Sequence, residues 1–262
     1  MLRFRSLGSG SSGNATVVEA GDGSQIRRLL VDCGFGIRQL ATRLGAAGLG
    51  IDQIDAIFIT HEHADHVGCA KALALRHRVP VWMSAGTHAA LGFPDLDGLL
   101  QVAYDMVPID LGTLCALPFT VPHDAREPLQ LRCTDGASHL GLLTDLGHAS
   151  SHVLQQLQGC HALLLEANHD PNMLAASGYP AFLKRRIAGE HGHLANHAAA
   201  SILTAVRHAS LNRVVAAHLS AQNNQPWLAQ QALAQALDWP AQAVDVASAV
   251  AGTEWIDVTL SR

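Results

Sequence analysis

Short apolar runs bounded by Gly, Pro, Asp and Asn dominate the first half of the chain, and helical spacing enters later. Strand-like runs fall at 2–7, 15–20, 28–32, 55–60, 79–83, 102–108, 115–122, 129–134, 139–144, 162–166, 213–217, 243–247 and 254–258. They are rich in Val, Ile, Leu and Phe, which suit a pleated, buried surface. Helical spacing of apolar residues covers 36–47, 66–78, 85–91, 149–158, 172–186, 196–208 and 225–236. Strands crowd ahead of the first long helix, whereas strands and helices alternate in the second half. That order predicts an α/β protein with two sheets face to face and helices outside, not one simple parallel sheet. No linker, low-complexity tract or repeat interrupts the pattern, so residues 1–262 are expected to form one domain.

The composition, 48% hydrophobic and 15% charged, provides for a sizeable core and excludes a disordered chain. No apolar run is long enough to span a membrane, and residues 1–6 lack the apolar core of a signal peptide. Five dispersed cysteines without a C-x-x-C pair read as reduced thiols, the pattern of a cytoplasmic protein. The net charge of −5 argues against a dedicated nucleic-acid binder, although two bound divalent cations would bring it near neutrality. Gly8-Ser9-Gly10-Ser11-Ser12-Gly13 has the G-x-G-x-x-G form of a dinucleotide site, but a strand-like run follows where that site needs a helix. The segment therefore reads as a turn between strands, which excludes a nucleotide cofactor. Its backbone N–H groups and hydroxyls could still cradle an anion.

The densest chemistry is His61-Glu62-His63-Ala64-Asp65-His66, an H-x-H-x-D-H pattern between a buried strand and the start of a helix. In an extended segment His61 and His63 point to one side, while Asp65 and His66 fall in the first helical turn. One short stretch can thus serve two adjacent ions. Imidazole with carboxylate suits Zn²⁺, and also Mn²⁺ or Fe²⁺. Further ligands must come from afar, and Asp32, His123, Asp145 and His218 share one context: a polar residue ending a hydrophobic strand. A closed structural zinc site is usually cysteine-rich; this set contains no Cys, which favours a catalytic centre.

Taken in order, Asp32, His61-x-His63-x-Asp65-His66, His123, Asp145 and His218 resemble the metallo-β-lactamase superfamily over essentially the full chain. The resemblance implies an αββα four-layer sandwich of two mixed β-sheets with a dinuclear site on one edge. It assigns His61, His63 and His123 to one ion and Asp65, His66 and His218 to the other. It makes Asp145 the bridge and Asp32 a residue that orients ligands. Ser9-Gly10-Ser11-Ser12-Gly13-Asn14, Glu166-Ala167-Asn168-His169-Asp170, Gly192-His193-Leu194-Ala195-Asn196 and His218-Leu219-Ser220-Ala221-Gln222-Asn223-Asn224 are similar to the YycJ (WalJ) branch. That branch is linked to phosphodiester cleavage in nucleic acid, including 5′→3′ exonuclease action. Ala167 and Ala195 stand where that branch leads one to expect serine. The second-site Cys of common β-lactamases, the G-H-T-x-G of thiolester hydrolases and the Glu of di-iron relatives are all absent. A cyclic phosphodiesterase remains compatible.

These residues predict hydrolysis at phosphorus by a hydroxide shared between two ions, with Asp65 aiming it. His193 is the expected donor to the developing charge, with the N–H groups of residues 10–13 and His169 as further donors. Ser11, Asn14 and His169 are the expected substrate contacts. Lys184-Arg185-Arg186 is the one dense basic cluster. It reads first as a solvated helix face and second as a phosphate contact, with Tyr179 and Phe182 more often core than base-stacking. The low aromatic content argues against a long stacking platform. The alternatives are a small-molecule hydrolase, such as a cyclic phosphodiesterase or esterase, and a binding module retaining a relic site.

Overall fold

The computed structural model describes residues 1–259; the last three residues of the expected domain lie outside the described residues. The first sheet holds β1 (Leu2–Gly8), β2 (Ala15–Gly21), β3 (Ile26–Val31), β4 (Ala56–Phe58), β5 (Val81–Met83), β6 (Leu100–Val102) and, from the end of the chain, β14 (Ile256–Val258). Its order is β14-β1-β2-β3-β4-β5-β6. The second sheet holds β7 (Ile109–Asp110), β8 (Cys115–Thr120), β9 (Leu129–Thr134), β10 (His139–Leu143), β11 (Ala162–Glu166), β12 (Arg213–Ala217) and β13 (Val244–Val246), in the order β13-β12-β11-β10-β9-β8-β7. Each is mixed. β3 to β6 run parallel in one, β10 to β13 in the other, and the remaining pairs are antiparallel.

Alternation along each strand separates three apolar layers. Phe4, Val18, Leu29 and Phe58 of the first sheet meet Leu131, Leu142, Leu164 and Val215 of the second in the central core. The opposite face of the first sheet, with Val17, Leu30, Ile57 and Val81, packs under α1 (Ile37–Ala46) and α3 (Ala70–His77). The opposite face of the second, with Leu143, Leu163, Leu165 and Val214, packs under α5 (Ser151–Leu157), α8 (Asn196–Val206) and α9 (Pro226–Leu237). This is the four-layer αββα sandwich. β10, β11 and β12 are buried on both faces, which is why they read as continuous apolar runs.

Two expected elements divide. The helix expected at 66–78 becomes α2 (Ala64–Val67) and α3, broken at Gly68. Gly68 has φ +34, and a Cβ there would overlap the Cys33 carbonyl. The helix expected at 172–186 becomes α6 (Pro171–Ala176) and α7 (Ala181–Ile187). Pro180 cannot continue a helix from the preceding turn, so Ser177 to Pro180 form a corner. The strand expected at 102–108 is a turn between β6 and β7, and the short helix α4 (Ala85–Ala90) is as expected.

One charged residue lies inside a layer. Glu19 of β2 is fully buried, directly opposite Arg3 of β1 and Arg28 of β3, and its two oxygens take the two guanidinium groups at 2.6 Å each. The carboxylate ties three strands at one register. Removing one partner of a buried ion pair leaves the others without compensation. Glu19→Gln should therefore lower the unfolding free energy by about 3 kcal/mol, read from urea denaturation. A loss below about 1 kcal/mol, the range of an exposed pair, would show the triad to be a surface feature.

Candidate metal centre

The site residues arrive where strands stop. Asp32 follows β3, Thr60 and His61 follow β4, Asp145 follows β10, Glu166 ends β11, and His218 follows β12. These are the carboxyl ends of the parallel strands, where α/β sheets place ligands. Two of these residues sit in the left-handed region, Asp32 at φ +63 and His218 at φ +51, so the chain turns sharply off each strand. Such backbone persists only where its surroundings hold it. The N–H of Asp32 donates to the Phe58 carbonyl, and that of His218 to the Ser9 hydroxyl at 2.8 Å. Asn168 fixes the other side of His218 by donating to its carbonyl at 2.9 Å.

The 61–66 loop is clamped from the first sheet. A Cβ on Gly34 would overlap the Asp65 carbonyl, so only glycine permits the approach. The N–H of Asn14 donates to that same carbonyl at 2.8 Å. His63 is the residue just before α2, which presents Asp65 and His66 in its first turn.

Three imidazoles, His61, His63 and His123, bring nitrogens within 4.8 Å of one another. His61 uses Nδ1 on the Thr60 hydroxyl at 2.9 Å, and Thr60 in turn meets the Asp32 carboxylate. His123 donates Nδ1–H to the Gly192 carbonyl at 3.0 Å. Both rings therefore turn Nε2 inward as a bare acceptor. Burial lowers the pKa of both, well below the usual value for His61, which keeps them neutral.

A second group joins Asp65, His66 and His218 within the same span, and a third joins His61, His66 and Asp145. His66 donates Nδ1–H to Asp32 at 2.7 Å, with Nε2 3.1 Å from Asp145 Oδ2 and 3.6 Å from Asp65 Oδ2. His218 donates to the Thr144 carbonyl at 2.9 Å and lies 3.0 Å from Asp145 Oδ1. Here burial alone would lower the histidine pKa values, but carboxylates outweigh it. Asp145 and Asp32 raise His66 to about 10, and Asp145 raises His218 well above its ordinary value. Asp145, though buried, is held well below the usual carboxylate range by His218 and His66.

This donor set suits two cations. Asp145 reaches both groups, its Oδ1 lying 3.8 Å from His123 Nε2. His218 Nε2 is buried without a hydrogen-bond partner among the described residues, and Asp145 Oδ2 faces His66 Nε2 at 3.1 Å; an inward, unsatisfied nitrogen beside a carboxylate is the condition of ligand atoms aimed at an ion. The set is all imidazole and carboxylate, with no sulfur.

Residues 27–219 match the β-lactamase superfamily domain. The chain belongs to the metallo-β-lactamase superfamily. It is 32% identical over 242 residues to exodeoxyribonuclease YycJ of Bacillus anthracis, covering 90% of this chain and 89% of that protein. To exodeoxyribonuclease WalJ of Streptococcus pneumoniae it is 29% identical over 241 residues, 90% and 88% of the two chains. The fold is similar to the metallo-β-lactamase fold protein YhfI from Bacillus subtilis, with a TM-score of 0.74 at 14% identity over 98% and 100% of the two chains. The superfamily's reaction class comes with membership: the chain is a metal-dependent hydrolase.

A cavity of about 320 Å³ opens beside the cluster, bordered among others by Ser11, His63, Asp65, Asp145, His193 and His218. His193 donates Nδ1–H to Glu166 Oε1 at 2.7 Å. Burial would lower the His193 pKa, but Glu166 raises it. Glu166, fully buried, also accepts from the Leu146 N–H at 2.8 Å and the Leu194 N–H at 3.2 Å. Sequence reasoning gave Glu166 no role. It ends an apolar run, and its partner lies 27 residues away; a carboxylate closing a buried strand was the available signal.

The expected substrate contacts separate. Ser11 borders the cavity, but Asn14 and His169 are buried and do not. The Asn14 side chain faces inward, accepting from the Gly10 N–H at 2.8 Å and placing Nδ2 3.2 Å from Asp65 Oδ2. His169 forms a bridge with Ala195, and burial lowers its pKa to about 4. Of the 10–13 loop, the Gly10 and Gly13 N–H groups bond inside the turn. The basic cluster lies on α7, whose Leu183, Arg186 and Ile187 also border the cavity.

Protonated His66 and His218 must lose their protons to accept a cation. Loading metal-free protein with Zn²⁺ near pH 7 should release about two protons per chain, with affinity rising as pH rises. Potentiometric titration measures this, and binding without proton release would count against these two histidines as ligands.

Proposed function

We propose that this chain is a cytoplasmic, two-metal phosphodiesterase acting on nucleic acid, folded as one domain. The observation that carries it is Asp145, a buried carboxylate reaching both histidine groups at the floor of an open cavity. The names of the relatives, exodeoxyribonucleases along nearly their full length, support a DNA end as substrate. The free cysteines support a reducing compartment, and no helix among the described residues is long and apolar enough to cross a membrane.

His61, His63 and His123 would hold one ion and Asp65, His66 and His218 the other, with Asp145 shared. The all-imidazole trio suits Zn²⁺, and the carboxylate-rich group also accepts Mn²⁺ or Fe²⁺. Bound ions supply Lewis acidity and bring the pKa of water towards neutrality. The remaining chemistry belongs to the chain. Asp65, whose ionised form His218 and His66 favour against the effect of burial before cations bind, accepts a hydrogen bond from the attacking water and aims it in line with phosphorus. His193, whose protonated form Glu166 favours, donates from Nε2 to the departing oxygen. Glu166 fixes that ring and its tautomer through Nδ1, as a positioning residue. Ser11 borders the same cavity and is placed to hydrogen-bond a non-bridging oxygen.

Metal analysis with a turnover panel tests this reading: single- and double-stranded DNA and RNA, cyclic phosphates and bis(p-nitrophenyl) phosphate, with Zn²⁺ or Mn²⁺. About two ions per chain and cleavage of DNA ends are expected, while His63→Ala and Asp145→Ala should remove activity on every substrate. Exclusive turnover of cyclic phosphates or acyl esters would replace the nuclease reading with a small-molecule hydrolase.

The His193 role has its own signature. An alkoxide leaving group needs a proton and p-nitrophenolate does not. His193→Ala and Glu166→Gln should thus lower kcat about 100-fold on DNA but far less on the p-nitrophenyl ester. Equal losses on both would remove His193 as the acid.

A further inference from the structure

The nuclease reading leaves unused the one basic cluster of the chain and an exposed phenylalanine beside it. α7 forms one wall of the cavity through Leu183, Arg186 and Ile187, the i, i+3, i+4 spacing of one helix face. Arg186 stands at the rim with its side chain 61% exposed. Its Nε donates to Asp124 Oδ2, and Asp124 also borders the cavity. That bond fixes the guanidinium over the opening. Its two terminal nitrogens meet no hydrogen-bond or ion-pair partner among the described residues.

Phe182 lies four residues before Arg186, hence one turn away on the same side of α7, and is 67% exposed. The sequence reading placed Phe182 more readily in the core; the corner at Ser177 to Pro180 instead turns it outward. Lys184 is engaged, donating to the Ala175 carbonyl at 2.6 Å. The cavity floor carries Asp65 and Asp145, and among the residues bordering it Arg186 is the one lysine or arginine, in a chain of net charge −5.

We propose that α7 is the surface along which a single-stranded nucleic-acid substrate enters the site, with Arg186 holding a phosphate at the rim and Phe182 stacking the adjoining base. This rests on the nuclease reading and deepens it. A planar guanidinium pairs with phosphate through two parallel hydrogen bonds, and the terminal nitrogens of Arg186 are placed for that. An exposed aromatic ring one helical turn away offers its face to a base whatever the sequence. Bases inside a duplex are already stacked on each other, so the ring selects single strands or frayed ends. One aromatic serves one base, which agrees with the low aromatic content and with recognition confined to the nucleotides next to the cut.

The test compares Phe182→Ala, Phe182→Trp and Arg186→Gln in metal-loaded enzyme. The substrates are a labelled single-stranded oligonucleotide, a dinucleotide and bis(p-nitrophenyl) phosphate. Phe182→Ala should raise KM for the oligonucleotide about tenfold, exceeding any change on the chromogenic ester, and Phe182→Trp should restore it. Arg186→Gln should raise the oligonucleotide KM and reduce the slope of log affinity against log salt by about one. The inference fails if Phe182→Ala leaves the oligonucleotide KM at the wild-type value, or if all three substrates lose in proportion, the mark of structural damage. Wild-type enzyme that hydrolyses the chromogenic ester but no oligonucleotide would instead overturn the nuclease reading, leaving Phe182 as a contact for a protein partner.

Discussion

Three carboxylates buried at the ends of strands govern this structure. Asp32, Asp145 and Glu166 are all out of reach of bulk water, and an isolated buried carboxylate either protonates or requires a compensating charge. Each is answered by a histidine from another element: Asp32 by His66, Asp145 by His66 and His218, Glu166 by His193. One of these pairs runs between the sheets: His66 follows a strand of the first and Asp145 a strand of the second, while the others stay on one side. The pairing therefore fixes how one sheet sits on the other at this edge. The same partners that neutralise the carboxylates are the ones that could give up their protons to a cation.

The backbone obeys the same requirement. Asp32 and His218 leave their strands through left-handed conformations, which aim the side chains across the edge rather than along the strand. The groups around these turns have little chemistry of their own: the Ser9 hydroxyl and the Asn168 amide hold His218, and glycine at 34 admits the close approach of the 61–66 loop. Asn14 belongs with them. Its side chain links the Gly10 turn to Asp65 and His66, so the glycine-rich segment acts as a clamp on the 61–66 loop more than as an anion cradle.

What the sequence makes legible follows from where the information lies. H-x-H-x-D-H is readable because its groups are adjacent, and His123, Asp145 and His218 because each polar residue abruptly ends an apolar run. The strands and the face-to-face sheets follow from alternation and order. Glu166 has the same strand-ending signature but was passed over, because its significance depends on a histidine brought near only by folding. The burial of Asn14 and His169 is a tertiary fact, so the sequence alone points them outward as substrate contacts. The break at Gly68 has a tertiary cause, the close approach of Cys33. The break before Pro180 was readable from proline alone, and its consequence was large, since it turned Phe182 away from the core.

The two ligand groups differ in a way that bears on how a substrate meets them. One is three imidazoles, two of them held neutral by burial; the other mixes imidazole with carboxylate and carries protons that carboxylates induce. Yet both present one partly exposed member to the cavity. The side chain of His63 is 28% exposed and that of Asp65 24%, whereas His61, His66, His123, Asp145 and His218 are buried. His63 immediately precedes α2 and Asp65 lies in its first turn, so a single short helix start sets the spacing of the two exposed members. The cavity that reaches the centre lies along that rim, between α2 on one side and His193 with α7 on the other. A phosphodiester fits this geometry: its phosphorus can reach both groups at once while its two ester arms stay outside. The floor is then set by buried charge compensation common to both sheets. The choice of substrate falls to the exposed side chains of the rim, Arg186 and Phe182 among them.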